Sequence, residues 1–156
     1  MVEKELYKTS GQLSAGYQGH ISYLFFIPEN MKSLDITFEF DKREPTGNLE
    51  EIEKKGIQAL LQNIPDLEVT QSVKEQLLKM PKSEINVSVF HNGACLGTAH
   101  RNLLLKEIHI SPEYSSEGFL QWKTDEGNLR IVLHVLNVLN DNTNFSLVVK
   151  GEVDDL

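Results

Sequence analysis

Two runs of the chain separate cleanly onto two faces. Leu34, Ile36, Phe38 and Phe40 alternate with Asp35, Thr37, Glu39 and Asp41, while Ile85, Val87 and Val89 point one way and Asn86, Ser88 and Phe90 the other. Successive strand side chains point to opposite faces, so each run predicts a half-buried strand. Slipping the first run by one residue would bury Asp35, Glu39 and Asp41, which fixes its register. Residues 20–27 are apolar on both faces, with Ile21, Tyr23, Phe25 and Ile27 on one and Leu24 and Phe26 on the other; this predicts a strand covered on both sides. Residues 129–139 place Ile131, Leu133 and Val135 opposite Val132, His134 and Leu136, the pattern of a central strand. Phe145, Leu147 and Val149 make a closing strand, which the turn residues Asn140, Asp141 and Asn142 join to the previous one as a hairpin. Residues 103–110 are also β-compatible. The polar residues 1–19 read as a loose lead or a short edge strand, and residues 152–156 as a fraying end.

From Asn48 the period changes. Leu49, Ile52, Leu60 and Ile64, with Ile57 and Leu61 beside them, share a helical face that Pro65 closes, and Asn48 with Glu51 has the spacing of a capping box. Thr70 caps a second helix with a stripe of Val73, Leu77 and Met80, stopped by Pro81. Residues 48–81 therefore form a two-helix insertion, laid across the strands or over one open end, or else a hairpin that binds a partner. His91, Asn92 and Gly93 supply a tight reversal. Ser111, Pro112 and Glu113 begin a turn or short helix ended by Gly118, whose left-handed conformation leads Phe119 into the core. The whole predicts one domain over 1–156, mainly β, an antiparallel β-sandwich of jelly-roll type.

The stretch 84–131 resembles the non-catalytic β-sandwich domain that precedes the catalytic domain in metallohydrolases of the polymerase-and-histidinol-phosphatase type, itself similar to pre-peptidase C-terminal jelly rolls. The family's first strand and turn glycine correspond to Asn86-Val87-Ser88-Val89-Phe90-His91 and Gly93. Its I-S segment corresponds to Ile110-Ser111, its T-P-G-Y turn to Ser116-Glu117-Gly118-Phe119, and its G-x-W-x-V strand start to Gly127-Asn128-Leu129-Arg130-Ile131. Asn86 and His91 stand where that family has aspartates, and Leu129 where it has tryptophan. The resemblance implies an accessory module without the hydrolase's metal ligands.

Composition narrows the partners. A chain of 156 residues suffices for one core. With 23 acidic and 15 basic residues the net charge is -8, a field that repels phosphate backbones and anionic lipid; Lys42-Arg43 and Lys54-Lys55 are the densest basic pairs, so neither nucleic acid nor membrane is an expected partner. Cys95 is the only cysteine, which excludes an intramolecular disulfide and fits a reducing compartment. No leader or long apolar run is evident, and the expected location is cytoplasmic.

Catalytic motifs are lacking. His91, His100 and His109 recur every nine residues and could meet His20 or His134 around a metal, but no H-x-H or H-E-x-x-H pattern occurs. Cys95 could be activated by His91 or His100, against the inert reading of a small buried residue at a strand start. Asp141, Asn142 and Asn144 offer hard oxygens for calcium in one turn, although such residues usually bond their own backbone. No cofactor is expected. Trp122 lies among polar neighbours and is the leading binding anchor, with Tyr114 and Lys123 as further candidate binding residues. The roles open are a protein-binding or self-associating accessory module, a carbohydrate-binding module using Tyr17, Tyr23, Tyr114 and Trp122, and a small hydrolase built on Cys95 or a histidine metal site.

Overall fold

The computed structural model describes residues 1–46, 49–79 and 82–154. Its elements run β1 (Val2–Leu13), β2 (Gly19–Ile27), β3 (Ser33–Phe40), α1 (Leu49–Asn63), α2 (Gln71–Lys79), β4 (Glu84–His91), β5 (Ala94–Ala99), β6 (Leu105–Ile110), β7 (Gly127–Asn137) and β8 (Thr143–Val153). Two four-stranded antiparallel sheets result, in the orders β1-β8-β3-β6 and β2-β7-β4-β5. Most connections cross from one sheet to the other, the eight-stranded arrangement of a jelly roll, and the protein is a β-sandwich.

The inner faces are the alternating apolar sets. Leu34, Ile36, Phe38 and Phe40 from β3, Ile85, Val87 and Val89 from β4, and Leu129, Ile131, Leu133 and Val135 from β7 are all buried. The rings of Phe38, Phe40 and Phe145 lie 6.2 Å apart in successive pairs, within the range of favourable aromatic contact. One long side of the sandwich, between the edges β1 and β2, is closed by Tyr7 stacking on Phe25 at 4.7 Å. The opposite side, between β5 and β6, is closed by residues 111–120: Leu120 N–H donates to Leu96 O at 2.8 Å and Ser116 N–H to His109 O at 2.8 Å.

Asn92 (φ +48°) and Gly93 (φ +85°) turn β4 into β5. Two successive residues at positive φ make the two-residue hairpin turn that suits strand twist. Gly118 has φ +88°, and a Cβ there would stand 2.8 Å from the backbone oxygen of Thr98. The left-handed conformation expected of it is present, but the segment it ends is a set of turns rather than a helix: Ser111 Oγ accepts from Tyr114 N at 2.9 Å and donates to Tyr114 O at 2.7 Å.

Several expectations are corrected. β7 and β8 are not a hairpin, since β2 and β4 occupy both edges of β7, and residues 138–142 cross to the other sheet, where β8 lies between β1 and β3. That crossing is held by Gly16 N–H on Val138 O and Leu139 N–H on Ser83 Oγ. The N-terminal lead is a twelve-residue edge strand, and Glu152 and Val153 are tied down, with Val153 buried and Lys32 N–H on Glu152 O at 2.7 Å, while Asp155 and Leu156 lie outside the described residues. β2 is an edge strand rather than one covered on both faces: Leu24 is 66% and Phe26 59% exposed. β6 begins at Leu105, leaving Leu103 and Leu104 exposed outside it.

Among the described residues the two helices pack chiefly on each other. α1 packs on α2, joined by Lys74 to Glu53 at 3.3 Å, and no comparable packing ties either helix to a strand among the described residues. Thr70 caps α2, accepting from Val73 N at 3.3 Å. The capping position Asn48 and the stop at Pro81 lie outside the described residues.

Candidate interaction surface

The two sheets turn very different faces to solvent. Alternation and register put Glu3, Glu5 and Lys8 of β1, Lys150 and Glu152 of β8, Asp35 and Glu39 of β3, and Glu107 and His109 of β6 on the outside of the first sheet. On the second sheet the outward residues are His20, Ser22, Leu24 and Phe26 of β2, Asn128, Arg130, Val132, His134 and Leu136 of β7, Asn86, Ser88 and Phe90 of β4, and Cys95 and Thr98 of β5. Among the described residues the ionised groups of that face are Arg130 and, at its rim, Glu84, whose Oε2 accepts from Asn86 Nδ2. The Arg130 guanidinium lies over the Phe90 ring, 4.5 Å from the centroid, so this charge is covered by an aromatic. Leu136 is 46% exposed.

Hydrogen bonds stitch the face across strands. Ser88 Oγ lies 2.8 Å from Thr98 Oγ1 and 2.7 Å from His134 Nε2, and the His20 ring meets His134 edge-on at 4.6 Å. Burial, and then the neighbouring His20, hold the His134 pKa below the ordinary imidazole value, so the neutral ring is favoured. Ser88 and His134 have the distance of a nucleophile and its base. Yet Ser88 is only 4% exposed, and no carboxylate holds His134 among the bonds of the described residues, so the pair serves as a cross-strand bond.

The sequence-derived candidates fall elsewhere. Trp122 is half-buried against the core, and its indole N–H donates to His91 Nδ1 at 3.0 Å. Because Nδ1 accepts, His91 carries its proton on Nε2, which donates to Asp125 O at 2.9 Å. Both nitrogens of this buried ring are used. His91 therefore has no free nitrogen with which to activate Cys95, which is exposed rather than the small buried residue expected. Tyr114 is exposed and stacks on His109 at 5.4 Å, and His109 Nδ1 meets Asp35 Oδ1 at 2.8 Å. Lys123 lines an open cleft of about 740 Å³ with His109 and Ser111, where Lys32 faces Glu113, Glu152 and Asp154. Tyr17 and Tyr23 lie apart from Tyr114 and Trp122, so the four aromatics form no common platform.

Of the residues that carry the family resemblance, Gly93, Ser111 and Gly118 make the turns described, Phe119 packs against the core, and Asn86 and Phe90 lie on the outer face. Gly127 opens β7 beside Asn92, whose Oδ1 accepts from Asn128 N at 2.8 Å.

The oxygens offered for calcium already make bonds within the protein. Asp141 Oδ1 accepts from Ala15 N, Asn142 O from Lys42 Nζ at 2.6 Å, and Asn144 Oδ1 from Gln12 Nε2. Lys42 Nζ, which also bonds Asp41 Oδ2, already brings a positive charge beside this turn. His91, His100 and His109 do not converge, and among the described residues no group of three His, Cys, Asp or Glu could hold a metal. No helix among them is long and apolar enough to cross a membrane.

None of the curated proteins is similar to the chain. Among solved structures, a family GH115 4-O-methyl-α-glucuronidase with specificity for decorated arabinogalactans is similar over 93% of this chain, at 10% identity and a TM-score of 0.38. This chain spans 14% of that enzyme's length, and a likeness of that degree supports no inference about activity. Residues 3–155 match the model of a family of unknown function (DUF6669), and the chain belongs to that family.

Proposed function

We propose that this protein is a non-catalytic interaction module of the cytoplasm, which contacts a protein partner through the outer face of its second sheet. One observation carries the reading: among the described residues an acidic chain leaves that face with only the aromatic-covered Arg130 and, at its rim, Glu84, and exposes Leu24, Phe26 and Leu136 on it. Charge depletion with exposed aromatic and aliphatic anchors distinguishes an interface from ordinary surface. An accessory role, as expected from the resemblance to sandwich domains beside catalytic domains, agrees with it. Reducing conditions would keep the exposed Cys95 as a thiol.

A photo-crosslinking residue placed at Leu24 or Leu136 in cells should give discrete protein adducts, whereas one at Glu107, on the charged face, should give none. Adducts from Glu107 alone, or equal adducts from all three positions, would overturn the assignment.

A further inference from the structure

We infer that β2 is the contact edge of a homodimer, in which two copies pair this strand antiparallel to join their second sheets into one of eight strands. Exposed sheet edges invite pairing, and folded proteins guard them with charges, bulges or covering segments. Three of the four edges here are guarded. β1 carries Glu3, Lys4, Glu5 and Lys8 and a register break between Glu5 and Tyr7. β5 is covered by residues 118–120, through Gly97 bridging Phe119 and Leu120 N–H on Leu96 O. β6 carries Lys106 and Glu107 and is covered at its end by the Ile110 to Ser115 bridge.

β2 has none of these devices. Its nine residues include no charge and no proline, its register with β7 is unbroken, and no backbone hydrogen bond reaches its outer edge from a described residue. A second copy fits better than a foreign strand for two reasons. An uncharged strand sets no like charges directly opposite one another when it pairs with its own copy, as β1 would, and β2 is the uncharged edge. Antiparallel pairing of identical strands also places a two-fold axis normal to the sheet, which closes the assembly at two. With Leu24 on that axis, Phe26 of each copy stands opposite Ser22 of the other, so the exposed apolar side chains share one face of the joined sheet.

The inference rests on the second sheet being the interaction surface, and the experiment separates the two. Sedimentation of the purified chain should show a monomer–dimer equilibrium at concentrations on the order of 10–100 µM. Leu24→Lys and Phe26→Lys, both at exposed positions, should each raise the dimer dissociation constant about tenfold or more without changing the circular dichroism. In a Cys95→Ser background, Leu24→Cys should form an intersubunit disulfide and Lys8→Cys should not. A chain that stays monomeric, or a dimer indifferent to both lysine variants, overturns the homodimer. If it is monomeric yet Leu24 still crosslinks to a different protein, the interaction reading survives without the dimer; if no crosslink forms either, both fall.

Discussion

Lys106 is the residue whose chemistry is most at odds with its place. It shares the inward face of β6 with Ile108 and Ile110, is 4% exposed, and has no carboxylate in ion-pair range among the described residues. Its ammonium donates to Leu103 O at 2.9 Å and lies 5.9 and 5.6 Å from the ring centroids of Phe38 and Phe40. Burial pushes its pKa down to about 8, against the partial opposing field of Glu84. The unfolded chain therefore holds this proton more tightly than the folded one. The cost is full below about pH 8 and is relieved as pH rises toward 10.5. Lys106→Met keeps the apolar stem and removes the charge, so it should stabilise the protein by about 1–3 kcal/mol at pH 7, less the lost bond to Leu103. Urea midpoints from pH 7 to pH 10.5 should show that advantage shrinking with pH; a constant or growing advantage would place the ammonium in contact with water. The parity of Lys106 with Ile108 and Ile110 was visible in the sequence, but the partners that make its burial costly are set by pairing with β3, which was not.

At the level of elements, β3 and β4 were legible because their alternation is local, and a wrong register would bury Asp35 or expose Ile85. Pairing was not. Turn residues at 140–142 suggested a hairpin, yet the same residues can turn a chain across a sandwich, and which happens depends on whether the edge of β7 is free. The two-faced apolar pattern of β2 was misread for a related reason, since Leu24 and Phe26 carry the same periodicity whether another layer covers them or water does. That is also why the outer face was hidden: its uncharged character appears only when four separated strands are aligned. The helical insertion is the most separable element. Ser83 N–H donates to Arg43 O at 2.8 Å, and Asn140 ties down Glu44 and Thr46, so the roots of the insertion meet independently of the helices. Replacing residues 47–81 by a short Gly-Ser linker should remove the helical circular dichroism and move the thermal midpoint by no more than about 3 °C. A cooperative loss of the whole fold would mean that the helices cover a part of the sandwich.

Across the whole molecule, charge is unevenly shared. The chain carries -8 overall, yet its second sheet contributes almost none of this to its outer face, while β1, β3, β6 and β8 crowd carboxylates and lysines onto the other. For association through β2 this distribution has a signed consequence. Two like-charged bodies repel over a distance set by the Debye length, about 30 Å at 0.01 M and about 10 Å at 0.1 M ionic strength. No ion pair is available between two β2 strands, so salt has only repulsion to screen. The dimer dissociation constant should therefore fall as sodium chloride is raised from about 0.02 M to about 0.5 M, the opposite of an interface held by opposite charges. Sedimentation across that series measures the sign directly. A dissociation constant that rises with salt would mean that ion pairs cross the contact, which the mixed charges of Glu3, Lys4, Glu5 and Lys8 on the β1 edge could supply and β2 could not.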